Sequence, residues 1–177
     1  MAGILLKKEK RMDANIFTFS IQDLRAGWLT TVVSDGTQEV TLVASYCSDA
    51  LSDLLNVILA LLEGANEGVC AWMQEPGEFH WLFKRKEEKV LLRLVWFDDN
   101  LYDGFPKEAG RILLLTERDL NIIATEFYDA LSHLLDTVGL EGYKEHWNLY
   151  EFPHRTYKEL GERIVALKDS RFLAKEG

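Results

Sequence analysis

The sequence lacks the features that mark membrane-spanning and disulfide-rich chains. Its longest mainly apolar runs, residues 54–62 and 90–97, fall well short of the roughly 20 residues that cross a bilayer. The apolar stretch at the N-terminus precedes the positive charges, unlike a secretory signal, so a cytosolic location is expected. The two cysteines, Cys47 and Cys70, have no metal-type spacing, and two reduced, partly buried thiols are expected.

Catalytic and nucleotide-binding signatures are also missing. The sequence has no glycine-rich phosphate loop, no paired histidines of the metalloprotease type, no Gly-x-Ser-x-Gly elbow and no dinucleotide fingerprint. The 20 lysines and arginines are outnumbered by 29 aspartates and glutamates and form no broad basic cluster, which argues against direct nucleic-acid binding. We therefore expect no catalytic residues, no cofactor and no metal ion.

What the sequence does have is a globular composition with an uneven charge. Apolar residues make up 47% of its 177 residues, a length that suits one domain with a single core. The net charge is -9, and residues 98–151 hold 12 acidic residues against 4 basic ones. The extreme N-terminus is basic. We expect a flexible basic arm at residues 1–13, with Met1 or Met12 as the start, and a single α+β domain at residues 14–177.

The clearest local signal is a β-hairpin early in the chain. Two runs rich in β-branched residues, 28–33 and 39–46, flank Asp35-Gly36. Because Asp-Gly supplies the positive φ angles of a tight turn, these runs are predicted to pair. A shorter β pattern at residues 16–21 precedes them and is interrupted at residues 22–27.

Helices and a meander of strands are predicted to follow. Ser48 is the predicted N-cap of a first helix that Gly64 ends, and Thr116 is the predicted N-cap of a long helix running to about Val138. The remaining elements are strands at residues 68–74, 78–85, 89–97 and 111–115 and a last helix at about 154–167. This order predicts an α+β fold, an antiparallel meander sheet with helices packed mainly on one face and a helical C-terminus.

The long helix carries the group that most resembles a catalytic or metal site. Glu126, Asp129 and His133 are three and four residues apart and therefore share one surface of the helix. The stripe continues through Asp136 and lies opposite the apolar face, which favours a solvated surface over a metal site or a partner-binding stripe. The acidic segment at residues 98–104 departs from the EF-hand pattern, so an exposed loop is favoured over a calcium site.

A densely aromatic sheet face is a further feature. Phe79 and Trp81 project to one face of their predicted strand, and His80 projects to the other. A small enzyme or ligand-binding domain would use the aromatic face around Trp72, Trp81 and Trp96, and a deep pocket holding His80 with a carboxylate would favour it. His80 could then act as a general base. We favour a structural histidine that pairs across the sheet, because no motif ties an acid or a nucleophile to it.

Three stretches of the chain resemble a known family: VASYCSDALSDLL at residues 43–55, WMQEPGEFHWLF at residues 72–83 and LVWF at residues 94–97. They are similar to a family of small bacterial proteins of unknown activity, some of which look like immunity proteins encoded beside polymorphic or contact-dependent toxins. The similarity covers residues 28–98. It implies a non-catalytic protein that binds a toxin domain, and it supplies no catalytic residues.

The resemblance and the charge together suggest one function. We expect an immunity protein that binds and neutralises a basic toxin domain of the nuclease type, because an acidic partner is steered to such a toxin and covers its phosphate-binding groove. The alternatives are the aromatic ligand-binding domain and a homo-oligomeric structural domain; no membrane partner is expected, and the oligomeric state stays open. The predicted contact residues lie on the acidic loop and helix: Asp98, Asp99, Asp103, Glu126, Asp129 and Asp136.

Overall fold

The computed structural model describes residues 16–98 and 110–173, with side chains as far as residue 168. The basic arm predicted at residues 1–13 lies outside these ranges. Within them the chain forms seven strands and three helices. In chain order they are β1 (Thr18–Arg25), β2 (Trp28–Ser34), β3 (Glu39–Ser45), α1 (Ala50–Leu62), β4 (Glu67–Met73), β5 (Glu78–Lys86), β6 (Lys89–Phe97), β7 (Arg111–Asp119), α2 (Leu120–Trp147) and α3 (His154–Leu173).

The strands form two antiparallel sheets, β1-β2-β3 and β4-β5-β6-β7. Every pair joins strands that are neighbours in sequence, so both sheets are meanders. The predicted α+β class with an antiparallel meander and a helical C-terminus is confirmed. The predicted hairpin turn is also present: Asp35 Oδ1 accepts hydrogen bonds from the backbone N–H groups of Thr37 and Gln38 at 2.9 and 3.0 Å, and Gly36 has a φ of 83°.

β1 is longer than the sequence pattern indicates. The predicted interruption at residues 22–27 was wrong, because the strand continues to Arg25 and only Ala26 and Gly27 make the turn, with φ angles of 52° and 78°. A register shift between Ile21 and Asp23 marks a β-bulge. The extra residue of a bulge breaks the alternation of side chains without ending the strand. In the sequence, this loss of alternation looks the same as the end of a strand.

The boundary between β7 and α2 also differs from the prediction. Thr116 is not a helix cap: it is buried within β7, which pairs with β6 as far as Asp119. The N-cap is Asp119, whose carboxylate accepts a hydrogen bond from Asn121 N at 2.9 Å. Gly139 has a non-helical φ of 67° and kinks the helix near its predicted end, but helical turns resume and continue to Trp147.

Aromatic side chains join the two sheets to α2. Ring centroids of Phe19 on β1 and Phe127 on α2 are 4.2 Å apart, and Phe19 lies 6.2 Å from Trp81 on β5. Trp72 on β4 is 5.0 Å from Trp81, and both indoles are fully buried. α1 packs against β4, α2 packs along β1, and α3 contacts both other helices. Among the described residues, no helix combines the length and apolarity needed to cross a membrane.

The opposite face of the four-stranded sheet exposes apolar side chains. Val69, Ile112 and Leu115 are 57%, 53% and 50% exposed. The strand register places Leu82 beside Val69, and Arg93 between Leu82 and Leu115, in one row across this face. Helices therefore cover the inner face of the sheet, while its outer face presents an apolar row to solvent.

Candidate functional site

Of the acidic residues predicted to contact a partner, Asp98 lies at one end of β6, and the helix that carries Glu126, Asp129 and Asp136 begins beside the other end. Asp98 is exposed at the end of β6, where its carboxylate accepts a hydrogen bond from Trp96 Nε1 at 2.7 Å. α2 begins beside the other end of β6, since Leu120 N donates to the Glu88 carbonyl oxygen. Asp99 and Asp103 fall outside the described residues. Asp98 therefore does not lie next to the first residue of α2.

Glu126 differs from the solvated stripe to which it was assigned. Its side chain is half-buried, and its carboxylate accepts a hydrogen bond from the backbone N–H of Phe19 on β1. Burial raises the pKa of Glu126, the hydrogen bond lowers it, and the nearby Asp129 charge raises it further. β1 is an edge strand with an unpaired donor at this position, so Glu126 stabilises the contact between helix and strand.

Asp129 and Asp136 do form an exposed acidic surface. Both are exposed on α2, with the exposed His133 between them, and neither is in an ion pair within the described part of the chain. In the residues that the structure describes, no three His, Cys, Asp or Glu side chains are grouped so that they could hold a metal ion. The arrangement suits long-range attraction of a cationic partner.

The aromatic face proposed for ligand binding is filled by the protein itself. Trp72 and Trp81 are fully buried against Phe19, and Phe127 packs edge-on against Trp81 at 5.7 Å. His80 lies on the outer face of the sheet. Its polar partner is not across the sheet, because its Nε2 is 2.6 Å from Oε1 of Glu78, two residues earlier on the same strand. Its ring does contact the neighbouring strand, with a centroid 4.7 Å from that of Phe97 on β6.

A second acidic site, which the sequence interpretation missed, lies at the start of α1. Asp49 occupies the N-cap position of the helix. The predicted cap, Ser48, was wrong: its hydroxyl faces β4 and accepts a hydrogen bond from Met73 N at 3.1 Å. Asp53 follows one helical turn after Asp49, and its N–H donates to the Asp49 carbonyl oxygen at 2.9 Å. The two carboxylates therefore lie on neighbouring turns.

Aromatic residues from the end of α2 enclose Asp49. Tyr143 and Trp147 are one turn apart, beyond the Gly139 kink, and both are fully buried. Trp147 and Ser52 donate hydrogen bonds to the Asp49 carboxylate. The buried Tyr143 Oη has no hydrogen-bond partner among the described residues. Tyr150 follows, with its ring centroid 6.4 Å from that of Trp147. We call these five residues, Asp49, Asp53, Tyr143, Trp147 and Tyr150, the Asp49 site.

The Asp49 site contains two acidic side chains whose charged forms are disfavoured by burial. Burial raises the pKa of Asp49, and the charge of Asp53 raises it further. Hydrogen bonds from Trp147 and Ser52 to the carboxylate lower this pKa. Partial burial also raises the pKa of Asp53, although its side chain reaches solvent. The pKa of Tyr150 is raised by burial and then by both aspartates. The described residues provide no lysine, arginine or histidine in an ion pair with either aspartate.

Both cysteines are free thiols, as expected, but only Cys70 is buried. Cys47 is exposed near the Asp49 site, and its Sγ donates to Oε1 of Glu75 at 2.8 Å. This hydrogen bond to a carboxylate is the main reason that the pKa of Cys47 is raised. The raised pKa favours the thiol over the more nucleophilic thiolate, so the arrangement does not resemble an activated catalytic cysteine.

The chain was compared with protein-family models, with curated proteins and with solved structures. None of these comparisons finds a match. Both candidate sites are therefore characterised from the geometry, burial and charge of this chain's own residues. Of the two, the α2 surface was visible in the sequence as helical spacing of acids. The Asp49 site offered only the four-residue spacing of Asp49 and Asp53, which is also common in solvated helices.

Replacing Asp49 by asparagine is expected to stabilise the fold at neutral pH. A carboxyl whose pKa is raised by folding binds protons more tightly in the folded state, so its ionised form opposes folding as the pH rises through the folded pKa. Asparagine caps helices as well as aspartate does. In thermal unfolding, Asp49→Asn should have the higher Tm at pH 7, and the gain should shrink below about pH 3.9, the ordinary pKa of an aspartate.

The control for this prediction is Asp136→Asn, which makes the same chemical change on an exposed part of α2. It should alter the free energy of unfolding by no more than about 0.5 kcal/mol at either pH. An Asp49→Asn variant that is less stable at pH 7, or equally more stable at both pH values, would show that ionisation of Asp49 does not oppose folding.

Proposed function

We propose that the protein is a non-catalytic immunity protein that binds and neutralises a basic toxin domain of the nuclease type in the cytosol. The observation that carries the proposal is the uncompensated charge of α2. The helix holds five acidic residues and one lysine, and that lysine, Lys144, pairs with Glu151 outside the helix. Asp129 and Asp136 are therefore free to act on a partner of opposite charge.

Electrostatics explains why such a surface suits this function. Nucleases bind the phosphates of their substrates largely through lysine and arginine, so their substrate groove is positively charged. A chain with a net charge of -9 attracts such a domain over a long range and accelerates productive encounters. Contact between the acidic helix and the basic groove would then exclude the substrate from the groove.

The family resemblance supports the proposal from different residues. Residues 43–55 form the end of β3 and the start of α1, residues 72–83 form the turn between β4 and β5 with parts of both strands, and residues 94–97 end β6. These stretches include Trp81, whose ring packs against Phe127 of α2, and they include Asp49 and Asp53. The proposed contact surface on α2 lies outside the resemblance, which is the pattern expected of a shared fold that meets different partners.

Reversing the charge of Asp129 and Asp136 should slow association with the toxin. The partner to use is the basic toxin domain encoded beside this chain's gene, and the association rate is measured by stopped-flow at low and high salt. The Asp129→Lys, Asp136→Lys double variant should associate about tenfold more slowly at low salt, because steering depends on the local field. The difference should shrink at high salt, where charges are screened.

The matched control is a double variant with the same change in net charge elsewhere, Glu39→Lys with Glu162→Lys, on β3 and α3. It should slow association less than the α2 variant does. Equal slowing by both variants would place the contact surface elsewhere. An unchanged rate in the α2 variant, or a neighbouring gene that encodes no toxin domain, would count against the proposal.

The outer face of the four-stranded sheet favours a second candidate, a homo-oligomer. Val69, Ile112 and Leu115 are each at least half exposed on one face, and clustered exposed apolar side chains are typical of protein interfaces. Light scattering of the purified chain distinguishes the two candidates. A stable oligomer that Leu115→Lys converts to a monomer would support the homo-oligomer. A monomeric chain would exclude the homo-oligomer, and the immunity protein would be the remaining candidate.

A further inference from the structure

We propose that a cleft between β1 and α2 binds a small organic anion that has an apolar body. The cleft has a volume of about 350 Å³ and is lined by residues 21–25 of β1, by four α2 side chains between positions 133 and 138, and by His146. We call it the β1–α2 cleft. Its volume falls within the range of about 300–1,000 Å³ that is usual for small-molecule sites. None of the residues proposed to contact a toxin lines it.

Three departures from regular backbone surround the β1–α2 cleft. The β-bulge of β1 lies on its strand side, and the kink at Gly139 lies between the two parts of α2 that line it. At the end of β1, Ala26 has a φ of 52°, and Gly27 donates its N–H to the His146 carbonyl oxygen at 2.7 Å. Bulges and left-handed residues other than glycine are common beside functional sites, where they redirect side chains at a cost in stability.

The deeper part of the lining is apolar. Leu24 of β1 and Leu134 of α2 are buried, and Ile21 and Val138 beside them are half-buried. These four side chains line the cleft from its strand side and its helix side. They can contact a hydrocarbon or aromatic group but cannot form a hydrogen bond with it. A ligand that fills the cleft therefore needs an apolar body.

The polar part of the lining favours an anion over a cation. His133 and His146 contribute imidazoles, and Arg25 contributes a side chain that is 76% exposed. Asp23 is the one carboxylate among the described residues of the lining, and it already pairs with Arg25 at 3.2 Å. An arginine has five N–H donors, so this ion pair leaves donors for a ligand, and each imidazole can donate as well. An anionic group in the cleft would thus meet three donor side chains.

The test is a titration with phenylacetate, followed by NMR of the histidine ring Cε1–H groups. The chain has four histidines, of which His133 and His146 line the cleft, while His80 lies on β5 and His154 begins α3. Phenylacetate should shift the assigned signals of the two cleft histidines saturably. The signals of the other two should stay in place.

Replacing Arg25 by glutamine should weaken phenylacetate binding about tenfold, the effect expected when a hydrogen bond to a charged group is lost. Arg155→Gln is the matched control, because Arg155 is also an exposed arginine that pairs with a carboxylate of its own element, at 3.0 Å from Glu159. It should bind phenylacetate as the parent does. Both arginine side chains are largely exposed, 76% and 91%, so neither change should unfold the chain.

Three further compounds test the two parts of the ligand. Phenylacetamide keeps the apolar body without the charge, and acetate keeps the charge without the apolar body. Both should bind at least about tenfold more weakly than phenylacetate. Phenyl phosphate carries a different anionic group on the same ring. Whichever of phenyl phosphate and phenylacetate binds more tightly identifies the head group that the cleft prefers.

Any of four results would overturn the proposal: no shift at either cleft histidine, equal shifts at all four histidines, equal affinity of Arg25→Gln and Arg155→Gln, or binding of phenylacetamide or acetate as tight as that of phenylacetate. None of these measurements uses a toxin domain or the charge-reversal variants of α2. The cleft and the proposed function can therefore fail independently of each other.

Discussion

Replacing Phe127 by alanine is expected to lower the free energy of unfolding by about 3–5 kcal/mol, the usual cost of removing a buried phenylalanine side chain. Phe127 is 2% exposed and contacts three other aromatic rings. Its ring centroid lies 4.2 Å from Phe19 and 6.3 Å from Phe17 on the β1 side, and 5.7 Å from Trp81 on β5. One side chain of α2 thus contacts aromatic residues of both sheets. Urea unfolding, followed by tryptophan fluorescence, measures how much it contributes to the free energy of unfolding.

The control is Leu140→Ala on the same helix. Leu140 is 52% exposed, so its loss leaves no cavity and should change the free energy of unfolding by no more than about 0.5 kcal/mol. A loss below about 1 kcal/mol for Phe127→Ala would mean that the aromatic cluster is not the main contact between the sheets. The α2 variants used to test toxin binding keep Phe127 and should remain fully folded.

Local chemistry made much of the fold predictable from the sequence. Asp35-Gly36 favours a turn whatever surrounds it, so the hairpin between β2 and β3 was visible without knowledge of the tertiary structure, although only Gly36 of the two has a positive φ angle. The apolar run at residues 90–97, which follows a turn at Glu87-Glu88, likewise gave β6 with its observed bounds. Both signals depend only on residues that are close in the chain.

The errors arose where distant residues decide the local structure. Thr116 and Asp119 are both good capping residues, and the sequence between them does not distinguish them. The choice follows from the pairing of β7 with β6, which extends as far as Lys89 opposite Asp119. Pairing of this kind depends on the neighbouring strand and on how deeply the sheet is buried. Neither can be read from a single stretch of sequence.

The candidate sites also divide into features that nearby residues determine and features that depend on distant residues. Helical spacing correctly identified Asp129 and Asp136 as exposed, but it placed Glu126 with them, because nothing in the sequence shows that the edge of β1 meets the helix at that point. The Asp49 site was beyond such reasoning. Asp49 and Tyr143 are almost a hundred positions apart, and only the packing of α1 and α2 brings them together.

The Gly139 kink separates two parts of α2. Before it, Asp129 and Asp136 are exposed and unpaired within the described residues, as a surface for long-range attraction requires. After it, Tyr143 and Trp147 turn inward and complete the Asp49 site. A non-helical residue between them interrupts the regular turns of the helix at this point.

The turn between β4 and β5 packs closely against Trp96 and Phe97, the residues that precede Asp98. Gly77 has a φ of 95°, and a side chain there would run into the indole of Trp96 and come within 2.7 Å of the Phe97 carbonyl oxygen. Trp96 in turn donates its indole N–H to Asp98. Gly77→Ala therefore combines backbone strain with a steric clash at the residues that position Asp98.

Gly77→Ala is expected to lower the free energy of unfolding by about 2–6 kcal/mol, the sum of a strained positive φ and overpacking. Gly64→Ala is its matched control: Gly64 has a φ of 111°, but no atom lies within 4 Å of the added Cβ, so only the strain of about 1–3 kcal/mol remains. Urea unfolding of both variants isolates the clash as their difference. Equal losses would show that Trp96 and Phe97 move aside freely, and that the turn does not fix the position of Asp98.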